Sequence, residues 1–179
     1  TITTGYYKNP EATAAAIDKD GWFHTGDAGY LKGNHLYLTE RIKDLFKTSN
    51  GKYISPQALE TKLSIDRYID QIAVIADERK FVSALIVPVY GFVKDYAKEK
   101  GIAYSNMDEL LQHSKIQALF RARIDTLQQQ FAHYEQVKRF TLLTEPFSME
   151  RGELTNTLKL KRSVVAKNYK GLIDKMYEE

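Results

Sequence analysis

The sequence predicts a small α/β or α+β domain of about 135 residues, preceded by a β-rich leader. Three observations lead there. Two β-branched runs, Ile69 to Ala76 and Phe81 to Tyr90, flank the charged tetrapeptide Asp77-Glu78-Arg79-Lys80 and read as a hairpin. Ile116, Phe120, Ile124, Leu127 and Phe131 recur at spacings of three and four, the stripe of an amphipathic helix. A third apolar run, Val137 to Leu143, then reads as another strand.

Each element has a local reason. Pro10-Glu11-Ala12 opens an alanine-rich helix over 10–17, and Asp18-Lys19-Asp20-Gly21 turns the chain. Short strands are expected at Trp22-Phe23 and Tyr30-Leu31, the second joined through Gly33-Asn34 to His35 to Thr39. Ser55-Pro56 supplies an N-cap and first helical residue for a helix to about Leu63. Pro88 marks the second long strand as ending or lying at an edge. Helices are expected over 92–100, closed by Gly101, over 107–113, over 114–134 and over 163–177.

Composition excludes several classes. With 43% hydrophobic and 27% charged residues, the chain belongs with folded globular proteins rather than disordered ones. No apolar run approaches the roughly 20 residues of a membrane-spanning helix. A net charge of +3 without a basic–aromatic stripe disfavours a nucleic-acid domain. The absence of cysteine removes disulfides and thiolate metal sites, and fits a reducing compartment. His24, His35, His113 and His133 lack metal-ligand spacing. The start at Thr1, without methionine or targeting segment, reads as a piece of something longer.

Three segments could carry chemistry. Gly21-Trp22-Phe23-His24-Thr25-Gly26-Asp27 places a carboxylate after two glycines, where it could accept bonds from ribose hydroxyls or simply close a turn. Arg41 to Gly51 is charged and flexible, suited to a hinge beside an anion or to a solvated loop. Gly152 to Arg162 alternates leucines with cations, so an extended or irregular backbone would anchor on leucine and point Lys159 and Lys161 outward, unless the segment is simply the basic start of a helix.

Together these segments resemble the adenylate-forming enzymes, which include acyl-CoA synthetases, peptide-synthetase adenylation domains and luciferases. Gly5 to Thr13 matches the stretch before the 21–27 signature, and 46–56 with 154–162 look most like long-chain fatty acyl-CoA synthetases. The resemblance implies that 1–42 is the tail of a large AMP-binding domain. It implies that 43–179 is the mobile C-terminal lid, a small mixed β-sheet flanked by helices.

It also implies a two-step ligase reaction on a fatty acid, with ATP, its Mg2+ and coenzyme A. Asp27 and Arg41 would bind the nucleotide ribose. Lys43 would be the hinge, and Gly51, Lys52 and Tyr53 would line the coenzyme A channel. Lys159 would be the catalytic lysine of adenylation, with Lys161 a rival two residues on. Leu158 departs from the family, which commonly has glycine there. The phosphate loop and any magnesium ligands would lie in a missing N-terminal domain, so the piece alone would not catalyse adenylation. No nucleic-acid partner is implied. A cytoplasmic location is, with peripheral attachment at the inner membrane surface left open. A sister enzyme acting on another acid, and a non-catalytic nucleotide- or partner-binding module, stand as the alternatives.

Overall fold

A computed structural model describes residues 3–178, and the chain divides into two compact units, Thr1–Asp44 and Leu45–Glu179. In the first unit Asn9 caps α1 (Pro10–Ala16) by accepting the Ala12 N–H at 3.0 Å. The Asp18 carboxylate accepts the N–H groups of Asp20 and Trp22, which fixes the following turn. Strands β1 (Asp27–Lys32) and β2 (His35–Arg41) then pair antiparallel around Gly33-Asn34, with Gly33 left-handed at φ 61°. The expected strand at Trp22-Phe23 shrinks to one bridge between Ile17 and Phe23, because the Asp18 turn holds the backbone there instead. No described residue of this unit is buried. Its described residues form no core of their own.

The second unit opens with two short strands, β3 (Phe46–Lys47) and β4 (Tyr53–Ile54), paired antiparallel. Ser55 caps α2 (Pro56–Leu63), accepting the Ala58 N–H. Next come β5 (Ile69–Ile75) and β6 (Val82–Pro88), then α3 (Tyr90–Glu99), α4 (Met107–Gln112) and α5 (Ser114–Leu127). The last elements are β7 (Val137–Leu142), α6 (Arg162–Asn168) and α7 (Lys170–Tyr177). The sheet order is β5-β6-β7, with β5 antiparallel and β7 parallel to β6, so the sheet is mixed.

Every residue of β6 is buried, and alternation sends its side chains to two cores. Val74, Ala84 and Ile86 pack with Leu59, Val93, Phe120 and Ile124 beneath α2, α3 and α5. Ala73, Leu85 and Val87 pack on the other face with Phe147, Val165, Ile173 and Met176.

Pro88 ends β6, the first of the two readings the sequence allows for it, and that strand is central. Two helix bounds differ from those expected. The helix expected to reach 134 stops at Leu127, because the Gln128 side chain accepts the Val137 N–H at 2.8 Å and turns the chain into β7. The C-terminal helix starts at Arg162 and is broken at Tyr169, whose ring stacks edge-on against Phe147. Among the described residues no helix is long and apolar enough to cross a membrane.

The Tyr177 hydroxyl bonds the buried Ser83 hydroxyl at 2.8 Å and the carbonyls of Phe81 and Ile75, so it joins α7 to the sheet. Replacing Tyr177 with Phe leaves Ser83 without that partner. It is expected to lower the free energy of unfolding by about 1–3 kcal/mol in urea titration, with an unchanged denaturant slope.

Candidate functional site

In the first unit, two of the residues singled out from sequence meet. Asp27 and Arg41 are cross-strand partners at the open end of the β1–β2 hairpin, with Arg41 Nε 3.4 Å from an Asp27 carboxylate oxygen. Gly26, at φ 74°, turns the backbone just before Asp27, and its carbonyl accepts the Ile42 N–H at 2.8 Å. Asp27 is about one-third exposed and Arg41 mostly exposed, so the pair is solvent-screened and readily rearranged by a ligand. Lys43 sits in the middle of a 3-10 turn, Ile42–Asp44, exposed and two residues before the second unit begins.

Gly51 lies in the loop between β3 and β4. Thr48 closes this loop: its hydroxyl accepts the Lys52 N–H, its own N–H donates to the Lys52 carbonyl, and its carbonyl accepts the Gly51 N–H. The loop rests on the β5–β6 turn through Ser49 N–H to the Arg79 carbonyl and Glu78 N–H to the Lys47 carbonyl. Gly51 has φ 74°, and an added Cβ would meet nothing within 4 Å. Within this chain its left-handed backbone, not crowding, asks for glycine. Tyr53 is exposed, and the Lys52 ammonium stands 5.6 Å from the centre of the Tyr134 ring.

Lys159 lies on a small hairpin stapled by an antiparallel bridge between Leu154 and Leu160. The Thr155 N–H donates to the Lys159 carbonyl at 2.8 Å, and the Thr155 hydroxyl accepts the Lys159 N–H at 3.0 Å. The backbone is held while the side chain is exposed, and among the described residues no ion pair involves its ammonium. Leu158 is at φ 59°, a conformation costly for a residue with a Cβ, and it is itself exposed. The position where the family commonly has glycine is thus one where glycine would relax the backbone. Lys161 stands at the N-cap position of α6 without a side-chain capping bond, is exposed as Lys159 is, and its N–H donates to the Glu153 carbonyl at 2.7 Å.

Glu153, which the sequence does not single out, is buried below this hairpin. Its carboxylate accepts the Ser148 N–H, the Asn168 amide and the Arg151 guanidinium. Burial pushes its pKa up, but Arg151, Ser148 and Asn168 outweigh that and hold it below the ordinary glutamate value. On the far side of the hairpin, Arg162 forks onto Glu60 of α2.

Residues 43–179 match the sequence family described as AMP-binding enzyme C-terminal domain. The chain belongs to that family. It is 38% identical to long-chain-fatty-acid–CoA ligase 5 of Rattus norvegicus and 36% identical to peroxisomal long chain acyl-CoA synthetase 7 of Arabidopsis thaliana. Each alignment covers 99% of this chain and 26% of the relative, so the chain spans about a quarter of those proteins. The adenylation domain of a carboxylate reductase from Mycobacterium chelonae superposes with a TM-score of 0.77 at 27% identity, over 98% of this chain and 26% of that one. A related domain from Segniliparus rugosus, solved with AMP and a co-purified carboxylic acid, gives 0.76 at 25% identity over 97% of this chain and 26% of that one.

Two predictions follow the local geometry of this AMP-binding enzyme C-terminal domain. Thermal stability is expected to rank glycine above leucine above isoleucine at position 158, spanning about 1–2 kcal/mol; equal stability of Gly and Ile would remove the left-handed backbone. Because Glu153 is depressed in the folded state, its ionised form stabilises the fold above the unfolded pKa, near 4.5, and that contribution is lost as pH falls through the folded value. The stability gap between wild type and Glu153→Gln in urea titration should therefore be widest near neutral pH and close below it.

Proposed function

We propose that this chain is the C-terminal part of a ligase that activates a long-chain fatty acid with ATP and passes it to coenzyme A. In this reading residues 1–42 end the large nucleotide-binding domain, and 43–179 form a lid that works in two poses. In the first step a carboxylate oxygen attacks the α-phosphorus of MgATP, giving acyl-adenylate and pyrophosphate. In the second, the thiol of coenzyme A attacks the acyl carbon and AMP leaves.

Each residue has a role that its setting supports. Asp27 accepts hydrogen bonds from the ribose hydroxyls, with Arg41 beside it exchanging its ion pair for a contact to the nucleotide. Lys159 brings an ammonium to the phosphate oxygens, where charge builds most in the transition state. Lys43, in its exposed turn, is the pivot. Gly51, Lys52 and Tyr53 border the thiol channel in the second pose, and the Lys52–Tyr134 pair beside them offers a cation and a ring to the coenzyme. Magnesium enters with ATP and is held by the large domain.

The observation that carries this reading is the hairpin of Lys159, hydrogen-bonded along its backbone yet with an exposed ammonium that pairs with no described carboxylate. A structural lysine would be paired or simply solvated on a regular element; this one is mounted on a turn whose own hydroxyl and carbonyl groups are consumed in holding it. The long-chain acid is favoured by the ligase of Rattus norvegicus and the synthetase of Arabidopsis thaliana reported above, both named for long-chain acids.

The test uses the full-length protein. Lys159→Ala is expected to slow fatty-acid-dependent ATP–pyrophosphate exchange by at least roughly a hundredfold, the scale for losing one transition-state charge contact. Thioester formation from supplied acyl-adenylate should be largely spared; equal loss in both half-reactions would defeat the assignment. Lys43→Pro, which locks one backbone angle in the 42–44 turn, is expected to depress one half-reaction far more than the other. If both survive that change intact, Lys43 is not the pivot.

A further inference from the structure

Building on the reading of Lys159 above, we propose that Glu153 and Glu60 are positioning residues for the adenylation lysine, clamping the two stems of its hairpin to separate buried scaffolds.

The hairpin's own packing does not fix its tip. A recess lies between it and the edge strand β5, lined by Gln71, Ile72, Phe147, Leu154, Leu158 and Leu160 among others. Leu158 at the tip is two-thirds exposed. Leu154 and Leu160 are only half-buried and touch the second core from outside. An ammonium that must meet phosphate oxygens needs tighter control, since a misplacement of about 1 Å can cost a hundredfold in rate.

Polar contacts at the stems supply it. On the incoming side, the Glu153 side chain is 1% exposed. One oxygen accepts the Ser148 N–H at 3.0 Å, the other accepts the Asn168 amide at 3.2 Å, and the Arg151 Nε lies 3.1 Å from both. The same residue's backbone carbonyl accepts the Lys161 N–H, closing the rung next to the Leu154–Leu160 bridge. Glu153 therefore ties the hairpin base to α6 and to the 148–152 turn.

On the outgoing side, Arg162 follows Lys159 by three residues. Its guanidinium grips both Glu60 oxygens, with Nη2 at 2.6 Å, and its centre lies 5.6 Å from the Phe46 ring. One Glu60 oxygen also accepts the Val74 N–H at 2.8 Å, so the grip is anchored on α2 and on β5 together. Side-chain exposures of 14% for Glu60 and 28% for Arg162 keep water from substituting for the bonds.

Such burial of charge is weak as a source of stability, because desolvation offsets most of the attraction. Its distinctive product is geometry. A two-pronged guanidinium–carboxylate contact fixes direction as well as distance, and a carboxylate with three donors allows one orientation.

The experiment compares Glu153→Gln, Glu60→Gln and Lys159→Ala in the full-length protein. It measures pyrophosphate exchange, and thioester formation from supplied acyl-adenylate, separately. Glutamine keeps the shape and one acceptor oxygen, but turns the other into a donor that faces a donor and removes the charge, which breaks the two-sided grip. Each glutamine variant is expected to slow exchange by roughly tenfold or more in kcat, with KM for ATP and the thioester step within about twofold of wild type. If both variants keep wild-type exchange while Lys159→Ala loses it, the clamp is wrong and the lysine assignment stands. If the two half-reactions decline together, the carboxylates only hold the fold, and the clamp is again wrong. If Lys159→Ala exchanges normally, both readings fall. The stems are independent, so a variant that does not fold leaves the other to decide.

Discussion

The central strand β6 has no solvent face. All seven of its residues, Val82–Pro88, are buried, so the chain must cover the sheet on both sides. Helices α2 to α5 cover one side, and the second cover is completed only by the last third of the chain, through Phe147, Val165, Ile173 and Met176. The hairpin that carries Lys159 is part of that cover. Leu154 and Leu160 are drawn toward the core by hydrophobic demand, while Leu158 and Lys159 between them face water. Core formation and lysine display are thus coupled, since the bridge between the two packing leucines holds the backbone beside the lysine.

Charge is distributed with a similar division. The buried carboxylates, Glu153 and Asp66, are engaged by Arg151 and Arg123, and the largely buried Glu60 by Arg162. Arg79 meets Asp174 where the β5–β6 turn touches α7, the turn on which the Gly51 loop also rests. Arginine suits such contacts because its planar fork holds two bonds in fixed directions, whereas lysine is a mobile point charge. Lysines are left for the surface, and Lys159 is one of them. The first unit follows another logic. Its described residues include exposed Tyr6, Trp22, Tyr30, Leu36 and Leu38 and none that is buried, which is how a segment looks when its core belongs to a larger body. That agrees with a chain matching about a quarter of its relatives.

Much of the fold was legible because it follows short-range rules. The Ser55-Pro56 start of α2, the Gly33-Asn34 hairpin and the β5–β6 pair each depend on a few adjacent residues. The end of α5 was not legible: it is set by one glutamine reaching across to the Val137 N–H, a contact with no local signature. The break at Tyr169 likewise depends on a ring partner, Phe147, far away in sequence. At the candidate site, the resemblance to the adenylate-forming family, carried by 21–27, 41–51 and 154–162, pointed to Asp27, Arg41, Gly51 and Lys159. It missed Glu153 and Glu60, since an acid in a polar stretch reads as solvated until the fold surrounds it with donors. Leu158 was visible as a departure from the family but not as a left-handed residue, because only the hydrogen-bonded turn around Thr155 shows what the backbone requires there.

The proposed function requires the Gly51 loop and the Lys159 hairpin to move as one body and to act in turn. Spin labels placed at Asn50 and Thr157, with a third on the large domain of the full-length protein, measure this directly. Adding ATP with a non-reactive fatty-acid analogue, then an acyl-adenylate mimic with coenzyme A, should leave the 50–157 distance unchanged. The distances to the third label should shift between two populations. A 50–157 distance that moves with ligand, or a single lid position throughout, would contradict the claim.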